Sequence, residues 1–557
     1  MPPTRTETSR SVNCGSNEPG AWAAYRGPGG DAALLARLLG AGTETQAGTG
    51  WGLGVRRGAG QQARLTQAPG GLIRAQVGTG GDAFSSATVS EDGALALACD
   101  PFGQHGVSYA RVGGTFWAAS DPRLLRRVPG APRELSPTAQ HGYLCFSHVP
   151  TPLTMTADVS SLPAGHTLMV SAQGNVEEGG AVWREREPSP LGEDAPLAEL
   201  CDLLRAAVAR RLGAESDVAV FLSGGLDSSL IAALLAEAGA RVHLFTLDFG
   251  PPFDAEVACA RAVAAHLRRP LRVVPARPAQ IKAALAPAAA ALHQPFGDGV
   301  VVPLYLLGQA ARAEGLQTVF NGEGGDQLFG GWANKPMIAA ELYRASSGDM
   351  TQEREAAFLA TYHRFWGLTD PLYTAKGREA TAGQDAGAWV RPALEEDGLP
   401  SLLHRLRAAN LRLKGAQNIA PRAVQLGAAH GLRVQMPFFD RALAEWTFGL
   451  PPDWFLRGVC EKHGLKCAAE VFLPPEIVWR EKRGMGVPTT DWCLGPLRRV
   501  LAACLSPRRL ARSGGWLDPA AVARLRRGED HAAEFRRRRV GEKLWTLLML
   551  QVWRDLP

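Results

Sequence analysis

The segment Ser223-Gly224-Gly225-Leu226-Asp227-Ser228-Ser229 gathers three hydroxyls, one carboxylate and two adjacent glycines in seven residues. Glycines let a backbone approach an anion closely, and a helix N-terminus offers unpaired N–H donors and the positive end of its dipole. The hydroxyls of Ser223, Ser228 and Ser229 add donors, and Asp227 has the chemistry to hold Mg2+ beside phosphates. The apolar run Val218 to Leu222 precedes the segment, and Leu230 to Ala238, which reads as a helix, follows it. Strand, glycine turn and helix start therefore coincide, as in a pyrophosphate cradle. Taken alone, the segment also fits an ordinary Gly/Ser turn. The chain lacks the GxxxxGK(S/T) pattern of the other common phosphate loop. Transfer of AMP with release of pyrophosphate is thus expected rather than transfer of the terminal phosphate.

A second glycine-rich stretch, Asn321-Gly322-Glu323-Gly324-Gly325-Asp326-Gln327-Leu328-Phe329-Gly330-Gly331, follows the apolar Thr318-Val319-Phe320. Only glycines separate Glu323 from Asp326. Two carboxylates on such a turn suit a metal ligand and a substrate-facing acid or base. Arg480 and Lys482 stand beside a glycine turn and are candidates for an anion clamp. A solvated basic surface is the competing reading of that pair. His293 has no second His or Cys nearby and reads as structural.

Placing two such loops together takes a particular scaffold. From residue 218 onward, strand and helix signals alternate: strands 218–222, 241–247, 271–274 and 317–321, with helices 228–239, 254–267, 278–292 and 303–313 between them. Repeated βα units predict an open parallel sheet with helices on both faces. In such sheets ligands sit beyond the carboxyl ends of the strands, where both glycine loops fall. A helix over Leu197 to Arg211 precedes the first unit. Upstream the segments are short and glycine-punctuated, with strands expected at 94–99, 106–110, 115–119 and 166–170. Glu185-Arg186-Glu187-Pro188-Ser189-Pro190 reads as a linker. The expected division is a disordered tail over 1–20, one domain over 21–190 and a second over 191–557.

With 557 residues, 46% hydrophobic and 20% charged, the composition is that of a soluble globular chain of two or more domains. The formal charge of +6 does not point to nucleic acid. No stretch approaches the roughly 18 apolar residues that span a bilayer. The start has no apolar core of a signal peptide. Nine scattered cysteines without a CxxC pair suggest a reducing cytoplasm and no zinc site. The Arg536-Arg537-Arg538-Arg539 and Arg524-Leu525-Arg526-Arg527 runs read as solvated helix faces rather than sites for an acidic peptide leader or nucleic acid.

The ordered set of motifs resembles the asparagine synthetase-like, ATP-dependent amide-forming enzymes. Ser223 to Ser229 matches that family's SGGLDSS. Asn321 to Gly331 is similar to its SGEGSDE-type loop, and His293-Gln294-Pro295-Phe296-Gly297-Asp298 to its E-x-P-x-x-D segment. Val434-Gln435-Met436-Pro437-Phe438-Phe439-Asp440 resembles RVPFLD, and Leu473 to Lys482 resembles LPxxIxxRxK, which Gly484-Met485-Gly486-Val487-Pro488 continues. Leu544-Trp545 through Trp553 also fits. Upstream, Asp100-Pro101-Phe102-Gly103 and Leu162-Pro163-Ala164-Gly165-His166 resemble the RDxFG and LxPGH of the family's glutaminase-type domain.

The resemblance implies an α/β adenine-nucleotide α-hydrolase-like (ATP pyrophosphatase) domain. Before it would stand a degenerate N-terminal-nucleophile, glutaminase-type α+β sandwich. It further implies ATP and Mg2+. Ser223, Gly224, Gly225, Asp227 and Ser228 match the phosphate loop, and Leu222, Leu247, Asn321 and Gly322 match positions at the nucleotide. Asp227 and Asp326 match magnesium and pyrophosphate carboxylates, Glu323 an acid near the reacting acyl group, and Lys482 a catalytic lysine that neutralises the phosphates.

The departures carry information too. Glutamine-hydrolysing members begin Met-Cys, exposing a cysteine that carries its own α-amino base. Here residue 2 is proline, Cys14-Gly15 is the only early Cys-Gly, and the family's NGE segment before Asp100 is missing. Cys14 reads as a buried or merely free thiol. Gln327 replaces an acid, Val424-Gln425 stands where asparagine synthetases carry Asp-Arg, and Arg433 and Gln435 replace Glu and Arg. An ATP site without the glutaminase nucleophile resembles β-lactam synthetases and lasso-peptide cyclases, which use an internal amine. The expected activity is a cytoplasmic C–N ligase acting on a small molecule or precursor peptide, with peptide-maturation proteins as partners and neither nucleic acid nor membrane. An asparagine synthetase using ammonia and an inactive peptide-binding scaffold remain open as alternatives.

Overall fold

The computed structural model describes residues 9–10, 18–58, 61–67, 71–80, 82–180, 197–331, 351–362, 364–367, 369–395, 399, 401–481, 486–529 and 537–556. The linker residues 185–190, Cys14 and Lys482 lie outside the described residues. Among the described residues no helix is long and apolar enough to cross a membrane.

The N-terminal half is a sandwich of two antiparallel sheets. One is built around Ala21–Arg26, Trp51–Arg56 and Thr115–Ala119, the other around Ile73–Gly80, Ala83–Val89 and Leu95–Cys99. Strand alternation sends Trp22 and Ala24 inward, where they meet Ala75, Val77, Leu95 and Leu97 of the facing sheet. Trp22 Nε1 donates to Ser85 Oγ at 3.0 Å across that core. Ala21, Ala23 and Tyr25 point outward and are covered by Leu34, Leu35, Leu38 and Leu39 of the helix Ala32–Leu39. The expected strands occur at Leu95–Cys99, Ser108–Val112, Thr115–Ala119 and Thr167–Val170. The strands before residue 90 were not read from the sequence; Gln62–Gln67, for one, is polar and largely solvent-facing. Ser9–Arg10, in the expected tail, pairs with Thr43–Gly48.

The C-terminal half holds the predicted parallel sheet. Its strands are β1 (Asp217–Phe221), β2 (Arg241–Asp248), β3 (Leu271–Pro275), β4 (Thr318–Phe320) and β5 (Arg433–Gln435), in the order β3-β2-β1-β4-β5. All four pairings are parallel. Val218, Ala219 and Val220 are buried without alternation, as in a strand covered on both faces. The covering helices include α1 (Leu226–Glu237), α2 (Ala255–Leu267), α3 (Pro278–Ala291) and α4 (Val301–Ala313). The chain runs outward through β2 and β3, then returns to β4 on the other side of β1. The crevice beyond β1 and β4 is the switch point of the sheet. β5, three residues long, is the strand that sequence periodicity did not show.

The Asp100 motif joins the halves. Asp100, fully buried, accepts backbone N–H bonds from Phe102, Gln104 and His105, at 3.0, 3.1 and 2.9 Å. This turn lays Phe102 against Phe439, ring centroids 5.5 Å apart. Gly103, at φ +64°, passes so close to Ala416 O that a Cβ would lie 2.2 Å from it. Gln435 Nε2, a residue that departs from the family pattern, donates to Thr79 O at 2.7 Å and ties β5 to the sandwich.

Candidate active site

The loop after β1 leads into α1 with Gly224 at φ +71° and Gly225 as the N-cap. A side chain at Gly224 would strike Ala260 N at 2.6 Å, so this residue must be glycine for the loop to seat on α2. The hydroxyls organise the loop itself. Ser223 N donates to Ser228 Oγ at 3.2 Å, Gly225 N to Ser223 Oγ at 3.2 Å, and Ser229 Oγ to Gly225 O at 2.7 Å. No side chain caps α1, which leaves its first N–H groups facing the crevice.

The second loop presses directly on the first. A Cβ on Gly322 would lie 2.5 Å from Ser228 N, and one on Gly325 would lie 2.6 Å from Asp227 Cγ. The glycines between Glu323 and Asp326 thus serve close loop-on-loop packing. Asn321 Oδ1 accepts from Glu323 N at 3.1 Å and sets the turn. Gly325 to Phe329 forms the short helix α5 (Gly325–Phe329).

Together the loops line a cavity of about 450 Å3. Leu222, Ser223, Gly225, Asp227, Ser228 and Leu247 form its wall on the β1–β2 side. Asn321, Gly322, Glu323 and Asp326 form the wall on the β4 side. Gly224 does not line the cavity. Its carbonyl accepts from Arg480 Nη2 at 2.9 Å, and Arg480 also contacts Cys259 Sγ. Arg480 lines the cavity and also holds the loop through these contacts.

Sequence reasoning missed Lys462. It lies after a two-strand hairpin, at φ +55°, as the N-cap of α6 (His463–Ala469). Its side chain, 3% exposed, sends Nζ to 2.5 Å from both Asp227 Oδ2 and Asp326 Oδ1. Burial lowers the lysine pKa, but the two carboxylates outweigh it and raise it above the usual value. Gly331 makes room, since a Cβ there would lie 1.6 Å from Lys462 Cε. Nothing in Cys460-Glu461-Lys462-His463 distinguishes this lysine in the sequence. The ammonium shows that Asp227 and Asp326 converge on one cation-sized point. Two hard oxygen donors suit Mg2+, which binds through one or two carboxylates plus phosphates rather than in an all-protein cage. No set of three or more His, Cys, Asp or Glu among the described residues forms such a cage.

Beyond Glu323 the wall is ionic. Asp298 accepts from Ser147 Oγ at 2.8 Å, Arg364 Nη2 at 2.9 Å and Arg422 Nη1 at 2.6 Å. Burial opposes its charge, but Arg422 and Arg364 hold its carboxyl far below the usual range. Arg364 also bonds Glu542 at 2.9 Å, and Arg422 Nη2 lies 3.7 Å from Glu323 Oε1. Burial pushes the Glu323 carboxyl up, Arg422 and Lys414 pull it down, and Asp326 and Asp227 push it up; the balance is upward. A raised carboxyl beside a cavity is suited to taking a proton. Gln327 lines the same cavity, with its Oε1 buried and unpartnered.

Other singled-out residues lie elsewhere. Val424 and Gln425 line a separate cavity of about 30 Å3 between the halves, where Gln425 Oε1 accepts from His293 N at 2.9 Å. His293 packs 3.6 Å from Asp121, and burial pulls its pKa down to about 4, a structural role. In the sandwich, the described cysteines are Cys99 and Cys145. Both are buried, and burial pushes each thiol up to about 12. Neither has the character of a nucleophile.

Two family profiles match the two halves of the chain. The asparagine synthase profile matches residues 199–555, and the glutamine amidotransferase domain profile matches residues 83–179. A Mycobacterium tuberculosis protein, provisionally named a glutamine-hydrolysing asparagine synthetase, is 27% identical over 502 residues, covering 82% of this chain and 74% of its own. The glutamine-hydrolysing asparagine synthetase 1 of Bacillus subtilis is 23% identical over 487 residues, covering 84% and 76%. Asparagine synthetase B of Escherichia coli, also glutamine-hydrolysing, is 23% identical over 334 residues, covering 56% and 48%.

Proposed function

This chain belongs to the asparagine synthase family of ATP-dependent C–N ligases, and on that premise we propose that it joins a carboxylate to an amine of its own substrate, closing a lactam or cyclic peptide without hydrolysing glutamine. The observation that carries the amine source is the state of the sandwich. The thiols described there, Cys99 and Cys145, are buried, and burial pushes each up to about 12. A ligase without an ammonia generator would need another amine, and an internal one would remove the need for a supply.

In this reading Leu222 and Leu247 flank the adenosine, and the loop Ser223 to Ser228 with the α1 N-terminus takes the phosphates, with Asn321 and Gly322 completing the nucleotide's surroundings. Asp227 and Asp326 would hold Mg2+, which would screen phosphate charge. A substrate carboxylate oxygen bonds to the α-phosphorus, the Pα–O–Pβ bond breaks, and pyrophosphate leaves. The amine nitrogen then bonds to the acyl carbon, the bond to AMP breaks, and Glu323 takes the amine proton. Lys462 and Lys482 meet the negative charge of the phosphates. The substrate is a small molecule or precursor peptide, and peptide-maturation proteins are the fitting partners. The names of the relatives favour a second reading, aspartate plus ammonia to asparagine.

A glutaminase assay tests the amine source. Glutamate release is expected to stay at the level of a Cys14→Ala control. Release above that control would mean that Cys14 is unmasked by processing and that ammonia is made here. Formation of asparagine from aspartate and ammonium would select the second reading.

A further inference from the structure

The cavity wall beyond Glu323 contains three cations, Arg364, Arg422 and Lys414, and they are not equally committed. Arg364 is divided between Asp298 and Glu542. Arg422, with its side chain 4% exposed, spends Nη1 on Asp298 and on Asn418 Oδ1 at 2.8 Å. Nη2 is the less committed nitrogen, reaching only to 3.7 Å from Glu323, while Nε is buried without a hydrogen-bond partner. A guanidinium nitrogen with unspent donor capacity at a cavity wall can bond a carboxylate oxygen. Lys414 is exposed, lines the same cavity, and forms no ion pair with any described residue. It lies close enough to Glu323 and Asp298 to lower both carboxyl pKa values.

The backbone supports this pairing. Lys414 stands inside a π-helical stretch, Asn410–Ile419, which runs into the helix Ala420–Ala428 that carries Arg422. π-helical turns are rare and are frequently found at functional sites. Asn418 of the same stretch bonds Arg422, so one continuous element sets both cations. Asp298 fixes Arg422 from the other side. Ser147, which bonds Asp298, comes from the sandwich half and follows the helix Pro137–Phe146. The N-terminal half thus supports Asp298, a residue of the acyl side of the cavity, a reason for its retention that is independent of glutamine.

We propose that Nη2 of Arg422 and the ammonium of Lys414 form the receptor for the substrate's carboxylate, holding it beside Glu323 before it meets ATP. The proposal rests on the acyl-activating reading above. Two anions must share one cavity, and a carboxylate approaching a triphosphate needs positive charge of its own. On the phosphate side lie Lys462, between Asp227 and Asp326, Arg480, which bonds Gly224 O, and Lys466, over the Trp479 ring. The cations on the acyl side remain for the carboxylate.

The test uses the full chain with L-aspartate, L-glutamate and the N-acetylated, C-amidated forms of both as carboxylate probes, and hydroxylamine as the amine. Arg422→Lys risks the fold, because the buried Asp298 loses one of its two guanidinium partners and Asn418 loses its bond to Arg422. Lys414→Gln, at an exposed position, does not carry that risk. Lys414→Gln is expected to raise KM for the carboxylate about tenfold or more with KM for ATP within about twofold, and Lys414→Arg to restore most of the loss. Unchanged carboxylate KM in both Lys414→Gln and Arg422→Lys would overturn the receptor and leave the ligase reading standing. A wild-type enzyme that turns over none of the four probes would also overturn it, since a receptor for side-chain carboxylates would then accept none. Formation of ADP instead of AMP would overturn the ligase reading itself.

Discussion

An Asp227→Asn variant is expected to lose most of its affinity for Mg2+–ATP and, with it, two to three orders of magnitude in the rate of pyrophosphate release at fixed nucleotide. Asp227 receives Lys462 Nζ through both carboxylate oxygens, at 2.7 and 2.5 Å, and it borders Gly322 and Gly325 of the facing loop. The amide keeps the shape and removes one hard anionic oxygen. A metal ligand is lost before any chemistry begins, so the defect appears in nucleotide binding. One preorganised charged contact in a desolvated site is worth on the order of a hundred- to thousandfold. The fold should survive, because Lys462 keeps Asp326 as partner. Nucleotide affinity by calorimetry, with and without Mg2+, checks the effect. Wild-type affinity in the variant would remove Asp227 from the metal site.

Lys482→Ala is expected to behave in the opposite way. Nucleotide affinity and thermal stability stay near wild type, while the single-turnover rate falls by on the order of a hundred- to thousandfold. The motif match gives this lysine the task of meeting charge that grows on the phosphates as AMP is transferred. Arg480, two residues earlier, already bonds the carbonyl of Gly224, so the segment starts at the phosphate loop. A lysine beside a glycine turn supports little core, and its loss costs little stability. Single-turnover kinetics on the variant decide the matter. Full activity would make Lys482 a surface charge.

The two predictions separate binding from chemistry, and they also show what the sequence could carry. Loops that follow a strand and open a helix were legible, because apolar run, glycine pair and hydroxyls fall in one short stretch. The four strands from 217 to 320 were legible because each is a compact apolar run between helix-period segments. β5 was not, since Arg433-Val434-Gln435 is held by pairing with β4 and not by its own pattern. Lys462 and Arg422 were not, because their roles arise from long-range contact. Lys462 meets Asp227 across 235 positions, and Arg422 meets Asp298 across 124. Arg480 was found for its charge, but its bond to the Gly224 carbonyl was not legible, since only the fold brings that carbonyl to it. The Asp100 motif was visible, yet its work is to turn the chain into the interface between halves.

The central claim is that a carboxylate oxygen attacks the α-phosphorus of ATP in the cavity between the Ser223 and Asn321 loops. Transfer of isotope from an 18O-labelled carboxylate substrate tests it most directly. The account predicts one 18O atom per molecule in the AMP released, with unlabelled pyrophosphate. Label in inorganic phosphate with ADP as the nucleotide product, or AMP free of label, would contradict it.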